Sequence, residues 1–320
     1  MKKLNFLSKI TILLMTLIIV SCDDDNNNNG PKTIAQTAIE TPSLSILVSA
    51  LQRADLVDAL NGTGTFTVFA PTNDAFTTFL NENGFNSIND VPVDVLRQVL
   101  LNHVVGDIYL STSLTTTYVN SLATYADTDL NLSMYINTSD GVKINGVADV
   151  VLPDVIATNG VVHVVDAVIG LPTVVTFAAA DPTFSTLVTA LTTLTPNTDF
   201  VDVLSTPSGT GSAPFTVFAP TNDAFAAITV PSDETVLTNV LLHHVIGSAN
   251  VASTNLTPNG ATTAASLQGN DLTVNLPGTG GNIANLTDGS GNTDIGIIKV
   301  DVQAANGVIH VINKVAIPNL

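Results

Sequence analysis

Apolar residues recur with a helical period in two stretches of the first half of the chain, as on one face of an amphipathic helix. The positions are Leu44, Leu47, Val48 and Leu51 in the first stretch and Val95, Val99, Leu100 and His103 in the second. Two short runs rich in Val and Phe, 66–69 and 161–165, predict strands. Helices early and strands late in one unit indicate an α+β fold.

An internal repeat divides the chain into two domains. The motif Phe-Thr-Val-Phe-Ala-Pro-Thr-Asn-Asp-Ala-Phe occurs unchanged at 66–76 and 215–225. Three further pairs of segments match in the same order, namely 41–47 with 181–187, 100–103 with 241–244, and 159–163 with 306–310. Because a repeat of this length is a complete domain rather than a solenoid unit, we predict one domain over 37–172 and a second over 173–320.

The N-terminus has the features of an export signal. Lysines precede an apolar run over 10–20, which is too short to span a bilayer. The only cysteine of the chain, Cys22, directly follows Ile19-Val20-Ser21, and this context resembles the lipobox of bacterial lipoproteins. The resemblance implies a signal peptide over 1–21, cleavage before Cys22 and acylation of its sulfur. The alternative is an ordinary secretory signal that contains a cysteine by chance.

The residues after Cys22 are polar and predict a flexible tether over 22–36. Three aspartates at 23–25 are followed by four asparagines at 26–29. This acidic start resembles the signal that exports lipoproteins of the Bacteroidetes group to the outer face of the outer membrane. It implies an outer membrane lipoprotein exposed at the cell surface. A linker without such an address, and exposure to the periplasm, are the alternatives.

The charge balance excludes one class of partner. Without residues 1–21 the chain keeps six basic and 27 acidic residues, a formal charge of −21. Nucleic acid is therefore not expected as a partner. Only 11% of the residues are charged and 45% are hydrophobic, so the chain has enough apolar residues for large cores.

Both repeated motifs resemble those of the fasciclin domain family. The segments 67–76 and 216–225 are similar to its first conserved motif, and 159–166 and 306–313 to its second. The resemblance implies two tandem fasciclin domains, each a wedge or sandwich of two β-sheets with a group of helices on one side. It also implies a role in adhesion to extracellular matrix, polysaccharide or partner proteins.

One family feature is altered in this sequence. The family has a Tyr-His pair between its two motifs, implicated in integrin binding in animal members. His103 and His244 match its histidine, but Asn102 and His243 replace the tyrosine. The resemblance therefore does not extend to integrin recognition.

The histidines could in principle be bases or metal ligands. His163 and His310 alternate with apolar residues in predicted strands, whereas His103 and His244 lie on the apolar face of predicted helices. We interpret all four as buried hydrogen-bonding groups and predict no metal site.

The polar residues of the first motif have a local explanation. Thr72 and Thr221 can cap the helix that follows each strand. The residues after them, Asn73, Asp74, Asn222 and Asp223, then fall in its first turn. An acid or ligand pair is the alternative interpretation.

A third polar segment, 288–294, looks like a calcium loop but has Thr293 at the glycine position and Lys299 at the glutamate position. Neither a Gly-x-Ser-x-Gly nucleophile motif nor a phosphate-binding loop occurs. We therefore predict no enzyme and no cofactor.

All tyrosines of the chain lie in one segment of the first domain, at Tyr109, Tyr118, Tyr125 and Tyr135. Exposed tyrosines are effective contact residues, so one hypothesis assigns them to a binding surface. The other assigns them to strands packed at the edge of the core.

The function predicted from these features is adhesion or binding at the cell surface through tandem fasciclin domains, with the lipid at Cys22 as the membrane anchor. Two alternatives stay open. One is a carrier that holds a small apolar ligand, a lipid or pigment, between helices and sheet. The other is a structural scaffold for another envelope protein.

Overall fold

Helices begin each repeat, as the apolar spacing predicts. A computed structural model describes residues 30–126 and 128–320, and residues Lys32–Leu320 form one compact unit. The first domain contains, in chain order, α1 (Ile34–Ile39), α2 (Ser45–Arg53), α3 (Val57–Asn61), β1 (Phe66–Pro71), α4 (Asn73–Glu82), α5 (Val93–Leu101), β2 (Val104–Val105), β3 (Thr117–Thr124), β4 (Asn131–Asn137), β5 (Lys143–Ile144), β6 (Ala148–Ala157) and β7 (Gly160–Val165).

The second domain repeats this order. Its elements are α6 (Val174–Ala180), α7 (Ser185–Thr192), α8 (Phe200–Ser205), β8 (Phe215–Pro220), α9 (Asn222–Ala226), α10 (Glu234–His243), β9 (Val245–Ile246), β10 (Ala261–Ala265), β11 (Asp271–Asn275), β12 (Ala284–Thr287), β13 (Ile295–Ala304) and β14 (Gly307–Ile312). The α+β class and the pair of domains are confirmed.

The strands of the first domain form a closed ring in the order β1-β2-β3-β4-β5-β6-β7. β1 is parallel to β7 and antiparallel to β2. Register shifts occur in β3 between Asn120 and Thr124, and in β6 around Leu152. Because such irregularities bend a strand, β3 and β6 each contribute to both sheets of a wedge.

The second domain has the strand order β10-β11-β12-β13-β14-β8-β9. β14 is parallel to β8, in the same arrangement as β7 and β1. β13 carries register shifts on both sides of Lys299. The repeated signatures therefore form the two parallel central strands of each domain.

Each domain has one core under its helices and a second core between its sheets. In the first domain Phe76 and Leu96 lie under the helices, and Phe69 and Met134 lie between the sheets. The side chains of a buried strand point alternately to these two cores. This explains why every residue of β7 is buried.

The folded part begins before the predicted end of the tether. Thr33 caps α1 in a capping box with Gln36, and Ile34 is buried. The backbone N–H of Thr158 donates to the carbonyl of Lys32 at 2.7 Å. Residues 32–36, assigned to the flexible tether, are thus part of the first domain, because an apolar helix face docks there. Cys22 and the three aspartates after it lie outside the described residues.

Within residues 30–126 and 128–320, no single helix is long and apolar enough to cross a membrane. One pair of helices, Val174–Ala180 and Pro182–Thr192, meets the same criterion by length and composition, with a bend of 95° between them.

Candidate functional site

The polar residues of the first motif hold helices in place. Thr72 Oγ1 accepts a hydrogen bond from the N–H of Ala75 at 3.2 Å. Asn73 Oδ1 accepts from the N–H of Ile46 at 2.9 Å, and its Nδ2 donates to the carbonyl of Pro42 at 3.0 Å. Asn73 therefore joins the start of α4 to the start of α2.

The aspartates of this motif have a simpler position. Asp74 and Asp223 lie exposed in the first turns of α4 and α9, where a carboxylate stabilises the N-terminal end of a helix. In the second domain Thr221 accepts from Ala224, and Asn222 bonds Thr186 and Pro182. The structure does not bring these carboxylates together as an acid pair.

The asparagine of the second motif has a structural role that the sequence did not predict. Asn159 Nδ2 donates to the carbonyls of Leu60 and Gly62 at 2.7 and 3.1 Å, and its Oδ1 accepts from the N–H of Ile34 at 2.9 Å. Asn306 makes the same three bonds in the second domain. The Asn-Gly pair, which occurs in both copies of the motif, is the feature of the sequence that could have indicated this role.

His103 is buried and connects the end of α5 to the segment that follows β7. Its Nδ1 bonds the carbonyl of Val99 at 2.7 Å, and its Nε2 accepts from the N–H of Ile169 at 2.9 Å. His244 makes equivalent bonds at 2.7 and 2.9 Å. Burial lowers the pKa of both imidazoles to about 4. Both are neutral at pH 7, with the proton on Nδ1.

His163 lies beside a serine and an aspartate without forming a catalytic triad. Its Nδ1 accepts from the backbone N–H of Asp154 at 3.2 Å, and its Nε2 donates to the carbonyl of Tyr109 at 2.8 Å. The hydroxyl of Ser111 donates to the Asp154 carboxylate rather than to the imidazole. A triad needs a serine that can transfer its proton to histidine, so this arrangement supports structure, not nucleophilic chemistry.

The second domain repeats this arrangement with Ser253, Asp301 and His310. Burial lowers the pKa of His310. Asp154 and Asp301 have positive φ angles of 60° and 59°, which aspartate tolerates better than most residues. Each aspartate therefore fixes a bend in the middle of its strand.

The residues that replace the family tyrosine are fully buried. Asn102 Nδ2 donates to the carbonyl of Gly170 at 2.9 Å, and its Oδ1 accepts from the Ser121 hydroxyl at 3.0 Å. His243 contacts Ser266 Oγ at 3.0 Å and accepts from the N–H of Gly289 at 3.0 Å. Neither side chain is available to a receptor at the surface.

The loop that resembles a calcium site is closed by its own backbone. The carboxylate of Asp288 accepts from the N–H groups of Ser290, Asn292 and Ile317 at 3.1, 2.8 and 2.8 Å. It is buried. No cluster of three or more His, Cys, Asp or Glu suited to a metal occurs in the described part of the chain.

The structure corrects the hypothesis of an exposed tyrosine surface for three of its four members. Tyr118 and Tyr135 pack together at a ring distance of 4.8 Å, and Tyr118 contacts Phe177 of the second domain edge-on at 5.6 Å. The Tyr118 hydroxyl donates to Asp181 at 2.9 Å, and Tyr135 lies 3.5 Å from the same carboxylate. Tyr125 is 8% exposed, and its hydroxyl lies 3.2 Å from that of Ser208.

These tyrosines hold the two domains against each other. Burial, with the charge of Asp181 beside it, raises the pKa of the Tyr118 hydroxyl, and burial raises that of Tyr135 to about 12. Tyr109 lies apart from them, half-buried against the core between the sheets of the first domain.

Further contacts continue this interface. The Ser133 hydroxyl accepts from the N–H of Gln303 at 2.9 Å. The ammonium of Lys299 lies 5.3 Å from the centre of the Tyr118 ring, within the range of a cation–π contact. β13 of the second domain therefore rests on β4 of the first.

The second domain does not repeat this surface. Thr263 pairs with Thr273 where Tyr118 pairs with Tyr135 in the first domain. The two threonine hydroxyls lie 2.8 Å apart on the exposed side of β10 and β11. In the first domain this face meets the second domain, and Tyr118 and Tyr135 lie there.

β6 of the first domain exposes apolar side chains. Val151, Leu152 and Ile156 are 56%, 53% and 66% exposed. At the equivalent position to Ile156, Gln303 of β13 is 3% exposed because the first domain covers it. The uncovered strand thus carries isoleucine where the covered strand carries glutamine.

Comparison with known proteins agrees with the fold. A model of the fasciclin domain matches residues 42–172 and 182–318. The chain is 40% identical over 138 residues to protein sll1483 of Synechocystis sp., covering 43% of this chain and 72% of that protein. It is 27% identical over 277 residues to periostin of Homo sapiens, covering 82% of this chain but only 30% of periostin.

The solved FAS1 domain pair from the insect cell adhesion molecule fasciclin I is similar in fold. It aligns with a TM-score of 0.51 and 21% identity, covering 87% of this chain and 97% of that one. The two matches to the family model cover most of the sequence, and the chain belongs to the fasciclin family, with two of its domains in tandem.

Proposed function

We propose that this chain is a binding protein of the cell envelope that acts in adhesion. In this proposal a lipid on Cys22 anchors it to the outer membrane, and the two fasciclin domains contact extracellular matrix, polysaccharide or another surface protein. The similarity to an insect cell adhesion molecule supports this at the level of fold.

The observation that carries the proposal is the exposed apolar strand β6. Apolar side chains scattered over a surface need no explanation, but a group of them on one element indicates a contact site. Ile108 and Leu110 are also exposed. They flank Tyr109 in the segment that the bonds from Ser111 to Asp154 hold beside the middle of β6.

The equivalent strand of the second domain sharpens this argument. β13 is partly covered by the first domain and carries Lys299 and Gln303 where β6 carries Leu152 and Ile156. At these two positions the strand without a partner within the chain is thus the more apolar of the two, while Val151 and its counterpart Ile298 are both exposed. We infer that an external partner covers β6, in the way that the first domain covers β13.

Avidity in this proposal comes from several copies of the chain. Residues Lys32–Leu320 form one compact unit, in which β6 of the first domain stays uncovered. A partner with repeated sites, such as a matrix fibre or polysaccharide, can then hold several chains at once, each through its own β6.

Attachment of cells that display the protein to surfaces coated with matrix protein or with polysaccharide tests the binding site. The variant Leu152→Lys/Ile156→Gln gives β6 the residues of β13 and is expected to reduce attachment at least about ten-fold. Ile283→Gln, at a similarly exposed isoleucine of the second domain, is the matched control and should attach normally. Unchanged attachment of the β6 variant would overturn the assignment of the surface.

Protease shaving of intact cells tests the anchor and the location. Wild-type protein is expected to be lost from intact cells, and the Cys22→Ala variant to appear in the soluble fraction. Protection of the wild type would place the protein in the periplasm, and a membrane-bound Cys22→Ala variant would contradict a lipid anchor on this residue.

A further inference from the structure

The second domain contains a cavity under its helices that is much larger than its counterpart in the first domain. Its volume is about 260 Å³, and it lies between α6, α7, α8 and the central strands β8 and β14. The corresponding cavity of the first domain is about 20 Å³. Since a cavity of about 150 Å³ is large enough for benzene, only that of the second domain has room for an organic ligand.

The two cavities lie at equivalent places. The N–H of Ile34 bonds Asn159, and the N–H of Val174 bonds Asn306 in the same way. Ile34 lines the small cavity and Val174 lines the large one. The difference in volume is therefore a difference between two copies of one arrangement.

Two differences in sequence accompany the larger volume. Val174 has one methylene less than Ile34. In addition, three residues (54–56) join α2 to α3, whereas seven residues (193–199) join α7 to α8. The smaller side chain fills less of the space under the helices, and the longer connection leaves the position of α8 beside α7 less constrained.

The lining is apolar and has an opening. Phe184, Leu187 and Phe200 form part of the buried wall. Thr192 is the only polar residue of the lining, and it is exposed together with Ala179 and Val201. These three residues mark the side on which a ligand can enter.

The positions of the basic residues in the second domain indicate whether the cavity suits a charged or a neutral ligand. Its two basic residues are Lys299, which contacts Tyr118, and Lys314, which pairs with Asp294. Neither lines the cavity. Burying a carboxylate without a partner is costly, so a fatty-acid anion would have to leave its carboxylate at the opening, and a ligand that fills the cavity is uncharged.

We propose that the second domain binds a small neutral hydrocarbon or terpenoid in this cavity. Scaled from the volume that benzene requires, the ligand has about ten carbon atoms. This function is separate from adhesion through β6, because the cavity lies inside the other domain. The proposal assigns ligand binding to the second domain only, although the repeated sequence gives no reason to distinguish the two domains.

Binding of limonene, a neutral ten-carbon hydrocarbon, to the purified protein tests this proposal. Methyl resonances of Leu187, Val188 and Leu191 are expected to shift in NMR spectra, and the melting temperature to rise. Decanoate, with the same number of carbon atoms and a negative charge, is expected to bind at least about ten-fold more weakly. Equal binding of both compounds, or no binding of limonene, would refute the proposal.

Cavity-filling variants locate the site. Ala178→Leu adds a side chain to the cavity wall and should abolish the limonene shifts while the protein stays folded. Val174→Ile restores the residue of the first domain and should weaken binding. Ala38→Leu, at the equivalent position of the first domain, has no space to fill; it should lower the melting temperature without affecting binding. Undiminished binding by Ala178→Leu would overturn the assignment.

These outcomes are distinct from those for adhesion. Ala178→Leu does not touch the β6 surface and should attach to coated surfaces like the wild type. Loss of limonene binding with normal attachment supports two separate sites. Loss of attachment in the same variant would contradict their independence.

Discussion

The contact between Tyr118 and Asp181 leads to a quantitative prediction about how the domains are coupled. Tyr118→Phe removes one hydroxyl, which donates to the carboxylate at 2.9 Å, and keeps the ring against Phe177. A hydrogen bond to a charged group contributes about 1.5 to 3 kcal/mol to stability. Asp181 keeps the N–H and hydroxyl of Thr183 as donors at 3.0 and 2.6 Å. We therefore expect a loss near the middle of that range, about 2 kcal/mol.

The chain provides its own probe for this experiment. It has no tryptophan, and its four tyrosines all lie in the first domain, so tyrosine fluorescence reports on that domain and on its contact with the second, while circular dichroism reports on both domains. The wild type is expected to unfold in urea with the same midpoint by both methods. With a slope of about 2 to 3 kcal/mol per M, Tyr118→Phe should lower the midpoint by roughly 0.7 to 1 M.

A double-mutant cycle isolates the pair. Tyr118→Phe and Asp181→Asn are each expected to destabilise, and their combination should cost less than the sum, because the second change finds the bond already broken. Tyr109→Phe is the control, since that tyrosine lies away from the interface, half-buried against the core between the sheets of the first domain. Coupling below about 0.5 kcal/mol would refute the idea that this hydrogen bond joins the domains.

Two further predictions concern buried polar groups, and a third concerns a glycine. Acidification from pH 6.5 to 4 should reduce the free energy of unfolding by about 3 kcal/mol for each of His103 and His244. The reason is that burial lowers the pKa of the folded imidazole to about 4, whereas the unfolded imidazole takes up its proton near pH 6.5. The full contribution to stability is present above pH 6.5, and a His244→Gln variant with an unchanged pH slope in urea unfolding would contradict this. Asn159→Ala leaves three backbone groups without their partner, two of which belong to the buried residues Ile34 and Leu60, and should cost about 3 kcal/mol, measured in the same way. Gly160→Ala should abolish soluble expression, because the added carbon would lie 1.9 Å from a backbone oxygen of β1, whereas Gly170→Ala, with no atom within 4 Å, should express like the wild type.

Some features of this protein could be predicted from its residues, and others could not. The cap at Thr72 and the strand before it depend on neighbours within a few positions, so the motif predicts both correctly. The role of Asp181 depends on Tyr118, which is 63 residues away in sequence. No periodicity connects such residues, and Asp181 stands where the first copy has Thr41, so the repeat itself gave no signal.

Burial was the property that sequence reasoning judged least well for the tyrosines. An amphipathic ring suits an exposed contact surface and a domain interface equally, and only the placement of the second domain decides between them. The same holds for Ile34, which composition assigned to the tether but which docks on the first domain as part of α1. Both cases depend on which surfaces meet in three dimensions.

The sequence by itself determined the number of domains, the order of their helices and strands, the family and the caps, because these follow from local periodicity and from a repeated motif. Only the tertiary structure decided that the tyrosines join the domains, that β6 is left uncovered, and that one domain has a cavity where the other is filled. The physical reason is that burial and volume are set by packing between distant segments, and one methylene or four extra loop residues can change them without altering the pattern of the chain.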